Sequence, residues 1–321
     1  MNEKVLILGG SYFVGRKMTE YLVKLGYDVT VLNRGTRILP EVCVHQIKCD
    51  RNNLDDMKDA LKDQQFEYVI DVSWQDLSWV KNTCEALSFT GVKKMIFISS
   101  SAVYDVDALR IPFQENDMLG ENKYWTFYGK GKIEAENYYC QFLKDTSTDL
   151  IILRPPYIYG EYNYAQRESL IFRQLIEDKP IAIPKSNPRL QFIYTEDLAD
   201  VIYCLLNSKL PKTYIANVGN QKDVTSLEWI EACAGVVGKK PHLVEVDYTK
   251  MGMNVRDFYP FFDYDNVLDL RRIHSIWNQE TDFRVGLERA YEEWFLKNRS
   301  EIIFKENVDK SLYEIIAAMS V

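Results

Sequence analysis

The chain has 321 residues, of which 46% are hydrophobic and 27% charged, an ordinary composition for a globular protein of one or two domains. Its apolar runs are too short to cross a bilayer, and its first residues lack the pattern of a signal peptide, so we expect a cytoplasmic protein. A net charge of −8 argues against broad nucleic-acid binding, which draws on basic surface.

The first half of the chain alternates between apolar runs that predict strands and amphipathic runs that predict helices. The predicted strands are "KVLILGG", "DVTVLNR", residues 44–48, "FEYVIDVS", "KKMIFISSS" and "TDLIILR", and the predicted helices span residues 13–25, 54–61, 77–87 and 124–143. Near-continuous apolar strands that alternate with helices are typical of a parallel sheet covered on both faces. The sequence therefore predicts an α/β fold with a Rossmann-like, doubly wound parallel sheet in residues 1–156.

Beyond residue 156 this alternation becomes irregular. Residues 157–321 predict a smaller carboxyl-terminal substrate lobe, with some elements returning to the main sheet. Residues 180–188 look rich in turns, and "VDKSLYEIIAAM" predicts an amphipathic helix that packs on the body of the protein. Six cysteines are scattered singly and three histidines stand far apart, so we expect reduced core thiols and no metal site.

The first predicted strand runs into a turn, "GGSYFVG", just before a helix. A strand, a glycine turn and a helix N-terminus together present backbone N–H groups to a pyrophosphate. Gly9, Gly10 and Gly15 match the outer glycines of the dinucleotide-binding fingerprint, but Tyr12 occupies the place of the middle one. By itself the fragment fits a purely structural turn almost as well.

The end of the second strand bears on which dinucleotide would bind. An acidic residue at this place accepts the adenosine ribose hydroxyls and repels a 2′-phosphate. Here Asn33 removes that negative charge, and Arg34 adds a cation suited to phosphate, which favours NADP over NAD. Arg34 as a solvated loop residue is the open alternative.

Candidate catalytic groups follow in the second part of the sheet. Hydroxyls in "IFISSSAVY" lie at the carboxyl end of a central strand, where such sheets bind ligands. In "YGKGK", Tyr128 and Lys132 are four residues apart and share one face of a helix. The lysine ammonium would favour the tyrosine phenolate and hold a nicotinamide ribose, and a serine hydroxyl would orient the reacting oxygen.

Taken with "LRPPYIYG", "FIYTEDLA", "NVGN" and "GLERAYEEW", these motifs make the chain from Lys4 to Trp294 resemble the extended short-chain dehydrogenases/reductases, the NAD-dependent epimerase/dehydratase family. "GGSYFVG" with "LNRG" is most similar to an atypical branch that includes the chloroplast stem-loop-binding proteins, where the middle glycine is also absent. The resemblance implies that the turn binds a dinucleotide through N–H groups, those of Ser11, Tyr12, Phe13 and Val14.

The resemblance also assigns roles to individual positions. The family's catalytic serine or threonine, three residues before the valine of "VY", matches Ser100, and its tyrosine and lysine match Tyr128 and Lys132. Asp50 matches an aspartate on the adenine side of the cofactor, and Pro155 matches a proline whose loop lies along the nicotinamide.

At two places the chain departs from the family's pattern, and these differences reduce the number of reactions that the resemblance supports. Asp105 stands where the family usually has glycine, which alters the rim of the pocket. Ser101 and Ala102 stand where the family's dehydratases carry an Asp-Glu pair and its decarboxylases a glutamate. Elimination and decarboxylation lose support, which leaves redox epimerisation or carbonyl reduction.

The resemblance therefore implies an NAD(P)-dependent epimerase or carbonyl reductase acting on a sugar, most naturally a sugar nucleotide. An RNA-binding protein and a dinucleotide sensor without turnover, both on the same fold, are the alternatives. The expected partner is a small-molecule substrate rather than nucleic acid or a membrane. A homodimer is one oligomeric state that stays open.

Overall fold

The computed structural model describes residues 2–37, 39, 44–72 and 76–319. The chain divides into two compact units. The first unit comprises Met1–Pro156, Thr195–Gly219 and Leu268–Gln279, and the second comprises Tyr157–Tyr194, Asn220–Val267 and Glu280–Val321.

The secondary structure follows in chain order. The strands are β1 (Lys4–Leu8), β2 (Asp28–Asn33), β3 (His45–Lys48), β4 (Tyr68–Asp71), β5 (Lys94–Ile98), β6 (Asp149–Arg154), β7 (Tyr157–Tyr159), β8 (Ile181–Pro184), β9 (Arg189–Leu190), β10 (Phe192–Tyr194), β11 (Thr213–Asn217), β12 (Val224–Thr225) and β13 (Leu243–Val246). The helices are α1 (Phe13–Lys24), α2 (Leu54–Leu61), α3 (Leu77–Ala86), α4 (Thr126–Leu143), α5 (Glu168–Ile176), α6 (Thr195–Leu206), α7 (Ser226–Val237), α8 (Arg271–His274), α9 (Phe283–Arg289), α10 (Leu296–Asn298) and α11 (Glu306–Met319). Short 3₁₀ turns span Ser101–Val103 and Val255–Asp257, and a π-helical turn spans Ala290–Phe295.

The first unit is built on a seven-stranded sheet in the order β11-β6-β5-β4-β1-β2-β3. All neighbouring strands in it pair in parallel. β1, β4 and β5 are almost entirely buried, because helices cover both faces of the sheet. The order reverses between β1 and β4, which is the switch point of a doubly wound sheet, where ligands bind beyond the carboxyl ends of the strands. The predicted Rossmann-like α/β fold is confirmed.

Two later segments complete this unit. β11 pairs with β6 from Thr213 opposite Leu150 to Asn217 opposite Arg154, and α6 packs on α1. The Lys94 ammonium donates to the carbonyl oxygens of Leu205 and Leu206 at 2.7 and 2.6 Å, and so satisfies the carboxyl end of α6.

The second unit contains three pairs of short strands, β10 with β7, β12 with β9 and β13 with β8. Its core is aromatic, and the Phe192 and Trp229 rings stack with centroids 4.3 Å apart. The turn-rich interpretation of residues 180–188 is wrong for Ile181–Pro184, which forms β8 and pairs in parallel with β13. The partner strand lies some sixty residues further along the chain, and local composition does not reveal such a pairing.

The predicted carboxyl-terminal helix is present as α11. Val308, Leu312 and Ile315 are buried at helical spacing, whereas Tyr313 is exposed, so one face packs on the second unit. None of the helices in the described residues is long and apolar enough to span a membrane. The cysteines of the described chain are free thiols, of which Cys140 and Cys204 are only half-buried. Cys43 lies outside the described residues.

Candidate functional site

The turn after β1 closes tightly against the first turn of α1. Gly9 has a φ of +100°, a conformation that L residues rarely adopt, and its N–H donates to Leu32 O of the neighbouring strand at 3.0 Å. A Cβ atom at Gly15 would lie 2.3 Å from Gly9 O, and one at Gly10 would lie 2.6 Å from Thr19 Oγ1. Glycine at positions 10 and 15 is therefore required for the helix N-terminus to approach the strand end.

The Thr19 hydroxyl stabilises this close packing. It donates toward Gly10 O and Gly15 O at 2.9 and 2.8 Å, within a buried environment. Phe13, the first residue of α1, has a φ of +45°. A bulky residue in the left-handed region is strained, and such strain concentrates at ligand-binding turns.

Tyr12, at the position of the middle glycine, is held in the turn by its backbone conformation and by a contact of its ring. Tyr12 has extended backbone, with φ −150° and ψ 148°, and its side chain makes no cap hydrogen bond. The centroid of the Tyr12 ring lies 3.8 Å from Cζ of Arg37, within the range of a cation–π contact. The Ser11 N–H donates to Gly9 O at 3.0 Å and is used within the turn itself.

The predicted adenosine side of the site lies at the carboxyl ends of β2 and β3. Asn33 Oδ1 accepts hydrogen bonds from the Gly35 N–H and from Gln46 Nε2 at 2.7 and 2.9 Å. Arg34 is exposed, as its solvated-loop interpretation requires. Asp50 follows β3, and its Oδ1 accepts from the backbone and side-chain nitrogens of Asn52, both at 3.0 Å.

The predicted catalytic side forms where α4 packs on the 3₁₀ turn after β5. Ser100 caps that turn, with Oγ accepting from the Ala102 N–H at 3.2 Å. A Cβ atom at Gly129 would lie 2.4 Å from Ala102 O, so glycine lets the first turn of α4 approach closely. Tyr128, the residue before it, is half-buried beside Trp125, with ring centroids 5.7 Å apart.

Lys132 connects α4 to the sheet. Its ammonium donates to Ile98 O at 2.7 Å, at the carboxyl end of β5, and its side chain is buried. Nζ lies 5.9 Å from the Tyr128 ring centroid. Burial lowers the pKa of Lys132 to about 8, although the negative charges of Asp71 and Glu136 oppose the shift. The amine is therefore largely protonated at neutral pH.

Pro155 joins the same cluster, because its carbonyl oxygen accepts from the Ser101 N–H at 2.8 Å. Packing thus brings Ser100, Tyr128, Lys132 and Pro155 together at the carboxyl ends of β5 and β6. The glycine turn follows β1, two strands away in the sheet, a separation of about 10 Å at ordinary strand spacing. The roles assigned to these residues stay predictions.

Sequence reasoning missed two buried ion pairs beneath this edge. Arg51 donates to both oxygens of Asp71 at 2.8 Å, and the Tyr139 hydroxyl donates to Asp71 Oδ2 at 2.7 Å. Arg154 donates to both oxygens of Glu136 at 3.0 and 2.6 Å. Asp71 and Arg154 both end strands, a position that could have marked them as candidates.

The second unit carries its own cationic pair. Arg167 lies over the Tyr157 ring, 5.0 Å from its centroid, and donates to Ile158 O at 2.9 Å. Arg256 is half-buried with its guanidinium 5.1 Å from the Phe262 ring centroid, and it forms no ion pair with a described residue. Burial lowers the pKa of Arg256, and the charge of Arg167 lowers it further.

Among the residues that the model covers, no cluster of three or more His, Cys, Asp or Glu side chains could hold a metal ion.

Comparison with known proteins defines the class of this fold and site. Residues 5–219 match the model of the NAD dependent epimerase/dehydratase family. The chain belongs to that family.

Individual relatives share only a quarter or less of their residues with this chain, apart from a few slightly above that level. The chain is 27% identical to the chloroplast stem-loop binding protein of 41 kDa b of Arabidopsis thaliana, over 90% of this chain and 78% of that protein. It is 22% identical to a putative UDP-glucose 4-epimerase of Methanocaldococcus jannaschii, over 92% of this chain and 99% of the relative. A dTDP-glucose 4,6-dehydratase from Bacillus anthracis, solved in complex with NAD, superposes with a TM-score of 0.77 at 16% identity, covering 93% and 98% of the two chains. The structural likeness shows the fold alone.

Proposed function

We propose that this protein is an NAD(P)-dependent epimerase or carbonyl reductase that acts on a sugar, specifically a sugar nucleotide. The observation that carries the proposal is the packing of α4 on the end of β5. The Gly129 contact with Ala102 and the bond from Lys132 to Ile98 O bring tyrosine, lysine and serine to one edge of the sheet. This is the edge at which a doubly wound sheet binds its ligands.

The residues of the first unit fit a dinucleotide. The glycine turn opens α1, whose first-turn N–H groups favour a pyrophosphate. The buried Asn33 Nδ2 has no hydrogen-bond partner among the described residues, so a ribose or phosphate oxygen would satisfy it. Asn33, which places no negative charge beside the ribose, and the cations that follow it favour NADP over NAD, and Asp50 and Pro155 would contact the adenine and nicotinamide ends.

A bound nicotinamide dinucleotide supplies hydride transfer. The chain's own part is proton transfer and positioning. Tyr128 would exchange a proton with the reacting hydroxyl or carbonyl oxygen, and the Lys132 ammonium would stabilise the phenolate form. The Ser100 hydroxyl would donate to the same oxygen and fix its geometry.

The arginines of the second unit support an anionic substrate. Arg256 is partly desolvated without a carboxylate partner in the described chain, and Arg167 is positively charged nearby. Such guanidinium groups bind phosphates well, because their planar donors match phosphate oxygens. A sugar joined to a nucleoside diphosphate supplies that charge. The cytoplasmic location and the homodimer, which the sequence leaves open, stay predictions.

One observation favours a second candidate. The relative at 27% identity is a stem-loop binding protein, and it covers 90% of this chain. RNA binding on the same fold is therefore the alternative function. The net charge of −8 counts against it, and the retained Ser100, Tyr128 and Lys132 count against a dinucleotide sensor without turnover.

The test is turnover of a panel of sugar nucleotides, with the epimers separated by chromatography and carbonyl reduction followed by the oxidation of NAD(P)H. Tyr128→Phe removes only the hydroxyl, so turnover is expected to be abolished while cofactor affinity changes little. Ser100→Ala should lower the rate by about 10²–10³, the usual effect of one donor to a reacting oxygen. Lys132→Ala should weaken both turnover and cofactor binding.

Tyr138→Phe makes the same chemical change elsewhere on α4 and is the matched control, with wild-type turnover expected. Full activity of Tyr128→Phe on a confirmed substrate would refute the catalytic assignment. Absence of turnover on every sugar, combined with selective RNA binding, would establish the alternative function instead.

A further inference from the structure

The contact between Tyr12 and Arg37 joins the two segments that would surround an adenosine ribose. Tyr12 belongs to the turn after β1, and Arg37 belongs to the loop after β2. The guanidinium carbon lies 3.8 Å from the ring centroid, well within the limit of about 6 Å for a cation–π contact. The tyrosine at the place of the middle glycine thus stacks against the guanidinium of an arginine in the loop after β2.

Stacking leaves the guanidinium suited to bind an anion. Its five N–H donors lie in the plane of the group, so a ring against one face does not block them. Arg37 is exposed and forms no ion pair with a described residue. Arg34 and Lys48 nearby are also exposed and likewise have no ion pair within the described residues. Arg34, Arg37 and Lys48 therefore lie in or beside the segment that follows β2 with no ion pair among the described residues, in a chain whose net charge is −8.

In Asn33, Oδ1 is not available to accept from the two ribose hydroxyls, as an acidic residue at this place would be. Its Oδ1 already accepts from Gly35 and Gln46 at 2.7 and 2.9 Å. Its Nδ2 is buried, lacks a hydrogen-bond partner in the described structure, and can only donate. The corner thus offers donors and positive charge, which suit a phosphate ester rather than a pair of hydroxyl donors.

We propose that Arg37, held against Tyr12, is the residue that binds the 2′-phosphate of NADP and sets the preference of this protein for the phosphorylated dinucleotide. The proposal rests on the proposed binding of a dinucleotide at the glycine turn. It assigns the main role to Arg37 rather than to Arg34, whose side chain has no contact with another described residue that would hold it in place. A stacked arginine loses less side-chain freedom on binding than a solvated one.

The experiment is calorimetric titration of the full chain with NADP⁺ and with NAD⁺. Arg37→Ala should weaken NADP⁺ binding by about 10- to 100-fold, the usual loss for charge-assisted bonds to a phosphate, and NAD⁺ binding by less than about 3-fold. Tyr12→Leu removes the stacking surface but leaves the arginine charge. It should weaken NADP⁺ by about 3- to 10-fold, the value of one cation–π contact.

Arg34→Ala tests the competing residue, and we expect it to change the ratio of the two affinities by less than about 3-fold. Lys24→Ala is the control for net charge. Lys24 is exposed at the far end of α1, about 16 Å along the helix from Phe13, and its loss should leave both affinities unchanged.

The outcomes separate this inference from the function on which it rests. Binding of NAD⁺ with no preference for NADP⁺, or a preference lost in Arg34→Ala and kept in Arg37→Ala, would overturn the role of Arg37 and leave dinucleotide binding intact. Failure of the wild type to bind either cofactor at millimolar concentration would overturn both.

Discussion

Charge is buried differently in the two units. In the first unit, Arg51 and Arg154 are buried, and each faces a carboxylate in a two-pronged ion pair, Arg51 with Asp71 and Arg154 with Glu136. In the second unit, Arg256 is half-buried without an ion pair to a described residue. Buried Glu168 likewise has no ion pair with a described residue, and its carboxyl accepts from Gly160 N–H and Asn163 Nδ2.

This difference matters for stability, because the two arginines of the first unit have carboxylate partners whereas Arg256 has none among the described residues. A buried charge that has its partner needs nothing further, whereas a desolvated charge without one is costly unless a ligand or a proton neutralises it. The ion pairs of the first unit hold the strand ends beneath the predicted catalytic groups. In the second unit, Arg256 has no carboxylate partner among the described residues, and burial favours the neutral, protonated form of Glu168.

The largest effect is expected from breaking a pair in the first unit. Arg154→Met leaves Glu136 buried without its cation and should lower the free energy of unfolding by about 3–5 kcal/mol. The double variant Glu136→Gln with Arg154→Met should recover part of that loss. Urea unfolding followed by circular dichroism measures both.

The matched control is Arg189, which makes the same two-pronged contact with Asp223 but is half exposed. Arg189→Met should cost less than about 1 kcal/mol, since water screens exposed pairs. Equal losses for Arg154→Met and Arg189→Met would show that burial does not make the first pair important.

An intermediate effect is expected at Glu168, and it depends on pH. Burial raises the pKa of Glu168 from 4.5 to about 7, so between these values the folded protein binds the proton more tightly than the unfolded chain does. Stability should therefore fall as pH rises from about 4.5 to 7, by up to about 3 kcal/mol from this group. Glu168→Gln stays neutral and should lose that part of the pH dependence.

Unfolding in urea at several pH values between 4.5 and 8 provides the measurement. Glu231→Gln, at an exposed position on α7, is the control and should keep the wild-type profile. Profiles that run parallel for wild type and Glu168→Gln would contradict the raised pKa.

The smallest effect is expected at Arg256. Because it has no carboxylate partner in the described chain, Arg256→Met leaves no opposite charge stranded and should change stability by less than about 1 kcal/mol. A loss as large as that of Arg154→Met, measured in the same way, would mean that Arg256 serves the scaffold rather than a ligand.

Part of the site could be predicted from the sequence, because the positions of its residues depend on only a few neighbouring residues. Tyr128 and Lys132 share a helix face through their spacing alone, and the glycines at positions 9, 10 and 15 follow from the geometry of a strand that turns into a helix. Ser100 was selected among three adjacent serines by family resemblance, since all three hydroxyls end the same strand. The role of Arg37 had no sequence signal, because the contact depends on how two loops fold over each other.

Within residues 1–156, the sequence by itself determined the order of strands and helices, the parallel sheet and the edge at which ligands should bind, because hydrophobic periodicity and glycine turns act over a few residues. Only the tertiary structure decided which distant segments meet. It paired β8 with β13 and β11 with β6, joined Arg51 to Asp71 across 20 residues, and rested Arg37 on Tyr12. Such contacts depend on the packing of the whole chain, where burial rather than local preference selects the partner.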